Sequence, residues 1–298
     1  MSNFTPINAR SYYDYLPTSN HQCGDIWISL PSMGLLSAFD YISGIMITPA
    51  CDLSNLKAET LTYLPVISIS SYLGSTALIP TVRREILDRY NSAKIHLLGE
   101  WPEKGYEPPP EHALALESDR LKALLEGTSL PAPDRGHIGR ALAGIRILSI
   151  CRSATESKVD LLDYSVLFGK NWSKMKTEII KNSYRPDIHF LPADEQNDGS
   201  IGINNHSVVL FRYPISVPAE ILTSANVVSN HSWSIYMDSC LNMYRSAIHF
   251  RNAKPIKILS LKSSFLSDLL SRFTALYGRI GSPDFSDATI DRFAGEIA

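Results

Sequence analysis

Apolar positions along the chain switch between a period of two and a period near four, and the switches divide it into blocks. Residues 1–22 are polar and tyrosine-rich, are broken by Pro6 and Pro17, and read as an extended N-terminal arm, with order beginning near Gly24. CGDIWISLPS then alternates, with Ile26 and Ile28 on one face and Asp25, Trp27 and Ser29 on the other, which is the signature of a strand. YISGIMITP is a nearly unbroken apolar run that stops at Pro49 and suits a strand buried on both faces. LTYLPVISISSYL, residues 61–73, carries Tyr63, Val66, Ile67 and Ile69, aromatic and β-branched residues that predict a third strand.

At Pro80 the period changes. Val82, Ile86, Tyr90 and Leu97 fall at roughly helical spacing, with Thr81 as the expected cap. The breaker WPEKGYEPPPEH separates this helix from a second, striped by Leu114, Leu121, Leu124 and Leu125 and ended by Gly127. Ile138, Leu142 and Ile145 predict a third helix, and Trp172, Met175, Ile179 and Ile180 a fourth. Strand character returns in DIHFLP (187–192) and HSVVLFRYP (206–214), flanking a polar loop, and in PIKILSL (255–261). Phe265, Leu269, Phe273 and Tyr277, four apart, predict an amphipathic helix ended by Gly278 or Gly281, and DFSDATIDRFAGEIA closes the chain as a short helix or tail. Strands on either side of the helical block must find each other to satisfy their edges. The pattern therefore predicts an α+β fold: an arm, residues 1–22; a β-rich domain, residues 23–79 and 187–298, with a C-terminal helix; and a mainly helical insertion, residues 80–186.

Composition narrows the function classes. With 298 residues and 44% hydrophobic positions, the chain can bury a sizeable core, which excludes disorder as its overall state. Its 28 basic and 30 acidic residues speak against a globally basic nucleic-acid binder and leave only a local basic face for that role. Cys23, Cys51, Cys151 and Cys240 lie far apart without C-x-x-C spacing, so neither a zinc knuckle nor a disulfide framework is expected and the thiols read as those of a cytoplasmic protein. The sequence has no apolar run of about 18 residues and no signal-peptide layout, so no membrane association is expected. The eight histidines include no H-x-x-x-H pair, and no Walker loop, G-x-G-x-x-G or G-x-S-x-G occurs, so neither a metal nor a cofactor is expected. His189 and His206, on neighbouring predicted strands, could meet across a sheet.

Gly24-Asp25-Ile26-Trp27, then Ile42 to Pro49, then Tyr63 to Ile69 resemble the opening of the MazF/PemK (Kid-like) toxin family. That resemblance implies an SH3-like barrel and a relation to sequence-specific endoribonucleases, in which an arginine of the second strand and a threonine or serine of the third segment serve the chemistry. In the matching register Ile42 stands where the arginine would be, Ser43 where the proline would be and Ile67 where the threonine would be, leaving Ser68 as the nearby hydroxyl. Losing the guanidinium removes the cation that would oppose charge on a phosphorane. The resemblance thus implies a degenerate PemK-like barrel protein acting as a bacterial interaction or sensing module in a toxin-antitoxin or phage-defence system. Its partner would be a protein of the same operon or a second copy of the chain.

Two sets of residues carry alternative chemistry. PACDLSNLK, residues 49–57, places Cys51, Asp52 and Lys57 directly after an apolar strand. An active nuclease would use Asp52 as base and Lys57 to stabilise charge, with Ser68 or Cys51 assisting. The competing structural reading makes Cys51 a small apolar residue, Asp52 a turn cap and Lys57 a solvated charge. Lys170, Lys174, Lys176, Lys181 and Arg185 surround Trp172 and Tyr184, an interleaving that could bind RNA or DNA in a nucleic-acid-binding regulator. A second basic stretch, Arg245, Arg251, Lys254 and Lys257, surrounds Tyr244 and Phe250.

Overall fold

The strands that flank the helical block do find each other. In the computed structural model, which describes residues 12–15, 18, 20–34, 40–55, 57–127, 130–152, 159–193, 202–278, 286 and 292, they build one antiparallel sheet. Its strands are β1 (Tyr13–Asp14), β2 (Asp25–Pro31), β3 (Tyr41–Met46), β4 (Thr60–Ser68), β5 (Ile188–Leu191), β6 (Ser207–Leu210), β7 (Ile215–Pro218) and β8 (Ile256–Leu261). They lie in the order β1-β8-β2-β3-β4-β6-β5, with β7 also beside β4. β4 reaches across the helical block to pair Val66 with Val209 and Leu61 with Val217.

Period-two alternation gives the sheet two buried faces. Trp27, Met46, Tyr63, Ile67 and Val208 enter one core, while Ile26, Ile45, Leu64, Val66 and Val209 enter the other. Trp27, fully buried, thus faces an apolar layer as Ile26 does. Gly44 sits where a Cβ would lie 2.7 Å from Leu30 and 2.8 Å from the Tyr63 ring, so the close packing of β3 against its neighbours requires glycine there.

The ten described helices are α1 (Ala50–Ser54), α2 (Ile69–Leu73), α3 (Ile79–Ser92), α4 (Glu111–Glu126), α5 (Ala132–Arg152), α6 (Leu161–Phe168), α7 (Asn171–Ile180), α8 (Ala219–Ala225), α9 (Asn230–Cys240) and α10 (Ser263–Tyr277). Helices α3 to α7 share the first core with the sheet, so the inserted block forms a layer on one sheet face. α10 packs Leu269 into the second core, with Phe265 and Phe273 against it. β1 and β5 are the outer strands of the order. Six spacings of about 4.8 Å would hold them about 29 Å apart in a flat sheet. The Tyr13 hydroxyl nevertheless donates a 2.7 Å hydrogen bond to the Pro192 carbonyl, directly after β5. The sheet is therefore strongly curled around the second core.

Several expectations change. Tyr13–Asp14, placed in the arm, is a strand on β8. The segment 61–73 is not one strand: Ser68 accepts a hydrogen bond from the Ser71 amide, capping α2 and turning the chain out of the sheet. α3 starts at Ile79, ahead of Thr81, because a 3₁₀ turn (Thr76–Leu78) runs directly into it, and it ends before Leu97. HSVVLFRYP breaks after Leu210 and resumes as β7. α6, α8 and α9 carried no signal recognised in the pattern, and α8 and α9 place helices inside the stretch expected to be β-rich. Most of the arm, most of the 193–205 loop and most of the closing tail lie outside the described residues.

Candidate anion-binding cleft

The predicted nuclease residues divide between two ends of β4. Cys51 and Asp52 lie on α1; the Cys51 thiol is 3.6 Å from the Asp52 carboxylate, and Lys57 is joined to Asp52 by an amide-to-carbonyl bond of 3.0 Å. Asp52 and Lys57 line one open cleft of about 630 Å³ at the Thr60 end of β4, together with Glu59. Ser68 stands at the opposite end of this nine-residue strand, which puts it about 26 Å away. Its oxygen is committed to the α2 cap and to Ser71 Oγ at 2.7 Å. The structure therefore brings Cys51, Asp52 and Lys57 together and leaves Ser68 out.

The basic set is divided as well. Lys170, Lys174 and Lys181 are exposed, and Lys174 pairs with Glu178 at 3.7 Å. Lys176 lies 5.6 Å from the centre of the Trp172 ring. Arg185 alone turns inward. In the second stretch Lys257 is buried in an ion pair with Asp25 at 2.8 Å, and Lys254 donates to the Val228 carbonyl, so both fasten the fold. His189 and His206 do not meet, because β5 directs residues 189 and 190 to opposite faces and His206 packs on Phe190, 5.5 Å between ring centres.

Arg185 leads to a site absent from the sequence-level candidates. It follows α7, and its Nε and Nη2 bond Asp187 at 2.8 and 2.6 Å while Nη1 reaches the Ala77 carbonyl at 2.8 Å. Arg212, in the break between β6 and β7, bonds the same carboxylate through Nε at 2.8 Å. Burial would raise the pKa of Asp187, but the Arg185 and Arg212 guanidinium groups outweigh it and hold the carboxyl below its usual range. Two positive charges thus meet one negative charge.

These groups line a cleft of about 420 Å³ with Tyr72, Tyr106 and Tyr213. That volume lies within the range of about 300–1,000 Å³ typical of small-molecule sites. The Tyr72 hydroxyl is buried against the Arg185 guanidinium outside good hydrogen-bond geometry, and burial raises its pKa, so it remains protonated. Thr76 and Ala77, in the turn that opens α3, complete one wall and bring the positive end of a 14-residue helix to the cleft. Arg212 keeps both terminal nitrogens free of hydrogen bonds among the described residues. The arrangement can bind an anion beside aromatic surface; it contains no nucleophile–base pair. A break signal in FRYP, with arginine and tyrosine at a strand interruption, was the available clue.

Among the described residues no three histidine, cysteine, aspartate or glutamate side chains gather as metal ligands, and no helix is long and apolar enough to cross a membrane. Compared with family models, curated proteins and solved structures, the chain matches none.

Proposed function

We propose that the protein is a noncatalytic sensing module that binds a small phosphate ester bearing an aromatic ring, such as a nucleoside monophosphate, in the Arg185–Asp187–Arg212 cleft. The carrying observation is the uncommitted end of Arg212 in a cleft that the buried Tyr72 hydroxyl also lines. Arg185 is held by Asp187 and the Ala77 carbonyl, so it supplies field and shape. Arg212 supplies the forked donor that matches a phosphate, and Tyr106 and Tyr213 supply ring surface for stacking.

The reading keeps the degenerate MazF/PemK-like barrel implied by the opening segments, with the curled sheet as its support. Ile42 and Ile67, where that family would carry its arginine and threonine, are both buried in the first core. A catalytic face at those positions would be sealed. A protein partner, from the same operon or a second copy, would respond to ligand occupancy.

Calorimetric titration with adenosine, guanosine, cytidine and uridine monophosphates and with inorganic phosphate tests the proposal. Saturable binding of at least one nucleotide is expected, weakened about tenfold or more by Arg212→Ala and by a smaller factor in Tyr72→Phe. No binding by any of them, or affinity indifferent to Arg212→Ala, would refute it. The alternative, a nuclease using Asp52 and Lys57, is favoured by their shared cleft; cleavage of total RNA or single-stranded DNA that vanishes in Asp52→Ala would establish it instead.

A further inference from the structure

A second concavity lies on the other side of α2 from the arginine cleft. It is a groove of about 340 Å³ between α2, α7 and the start of β6. Its walls are Ile69, Leu73, Trp172, Ile179 and Phe190, with Ile180 at the rim, more than half exposed. An apolar side chain held that open to water at a groove mouth gains by being covered.

The polar residues of the groove share one character. Ser68, Ser70, Lys176, Asn205 and His206 line it, and among the described residues no carboxylate does. Lys176 is in no ion pair among the described residues; its neighbour Lys174 takes Glu178, and Lys176 lies over Trp172. The Ala193 amide donates to Nδ1 of His206 at 2.9 Å, which makes Nε2 the protonated nitrogen, a donor. The groove therefore offers a cation from α7 and a fixed N–H donor from the start of β6 beside its apolar walls. Charge complementarity calls for an anionic head on an apolar body.

We propose that this groove binds a medium-chain monocarboxylate, its alkyl chain against Ile69, Trp172 and Ile179 and its carboxylate at Lys176 and His206. The site is independent of the nucleotide cleft. An unbranched chain suits a trough walled by aliphatic side chains and one indole, and the volume lies at the small end for ligand sites, which favours a chain of modest length over a long acyl group. Trp172 holds the Lys176 ammonium near the mouth through a cation–π contact, so the charge is positioned before the ligand arrives.

The test titrates sodium octanoate, below its micellar range, into the full chain at pH 7, with 1-octanol and octylamine as head-group controls. Octanoate is expected to saturate a single site, with 1-octanol about fivefold weaker or more and octylamine weaker still. Lys176→Gln should weaken octanoate about fivefold and leave 1-octanol unchanged, because only the carboxylate uses the ammonium. Ile180→Asp, at an exposed rim position, should abolish binding of both without lowering the melting temperature. Arg212→Ala should leave octanoate affinity unchanged. Non-saturable uptake, octylamine binding as tightly as octanoate, indifference to Lys176→Gln, or sedimentation showing a second copy covering the groove would each overturn the proposal.

Discussion

His189 should make the protein acid-labile in a window that its surroundings define. It sits on β5 opposite Val209, 1% exposed, beside Phe211, and neither ring nitrogen has a hydrogen-bond partner. The charged groups facing it are on α10: the Asp268 carboxylate, 3.8 Å from Nδ1, and Arg272, which itself pairs with Asp268. Burial pushes the His189 pKa down to about 4; Asp268 opposes that shift and Arg272 adds to it. In the unfolded chain the same group titrates near 6.5. The unfolded state therefore takes the proton first as the pH falls, and the stability held above about 6.5 is progressively lost down to about 4. A shift of this size corresponds to about 3 kcal/mol. Urea unfolding of the wild type and His189→Phe between pH 7.5 and 4.5 would measure it, since carboxylates elsewhere titrate alike in both proteins. The gap between the two should change by about 2–3 kcal/mol in favour of the variant as the pH falls. Asp268→Asn, removing the group that favours the charged ring, should deepen the wild-type loss. Parallel stability curves for wild type and His189→Phe would refute the account.

Other perturbations separate structural from functional roles. Ile42→Arg with Ile67→Thr, which would restore the residues of a ribonuclease face, should unfold the protein or cost about 3 kcal/mol or more by burying an unpaired charge, with no RNA cleavage gained; circular dichroism and an RNA digest read both. Glu117→Ala should cost about 2–4 kcal/mol, because buried Glu117 accepts from the Tyr90 hydroxyl and from the Leu98 and Gly99 amides, and those amides should exchange faster by NMR. Gly44→Ala should cost about 1–3 kcal/mol in chemical denaturation, since the new methyl meets a Tyr63 ring whose hydroxyl is anchored on Pro31. Asp52→Ala and Lys57→Ala should each change stability by about 0.5 kcal/mol or less in the same assay, as expected for surface positions without a network.

Much of the sheet was legible because burial on two faces leaves a plain trace. Ile26 and Ile28 against Trp27 marked β2, and the four-residue spacing of Phe265, Leu269 and Phe273 marked α10, since each pattern is the direct record of a face meeting a core. What escaped notice had other causes. Ser68 ends β4 through a cap with a serine three residues on, while Ile69 and Leu73 continue the apolar composition of the strand, so propensity alone hid the change. Residues 219–240 form short helices whose exposed Ile235 blurs the amphipathic stripe. The arginine cleft was invisible for a different reason. Arg185, Asp187 and Arg212 meet only because β5 and β6 are neighbours, and Tyr72 and Tyr106 come from a different part of the chain. Lys174 and Lys176, two and four residues after Trp172, face different partners.

Both proposed sites follow from the way β4 is paired. One edge of this nine-residue strand is too long for β6 alone, so it takes β6 along its C-terminal half and β7 along its N-terminal half. The Phe211 amide still bonds the Asp187 carbonyl ahead of β5, and the chain then leaves the ladder and brings Arg212 and Tyr213 to Arg185 and Asp187. At its C-terminal end β4 gives way to α2. One side of α2 contributes Tyr72 to the arginine cleft, and the other contributes Ile69 and Ser70 to the apolar groove. The five residues of α2 are therefore a shared wall. A substitution that unseats it, such as Ser68→Ala removing its cap, should weaken nucleotide and octanoate binding together, whereas Arg212→Ala and Lys176→Gln should each weaken only one. Independent responses to Ser68→Ala at the two sites would show that α2 does not join them.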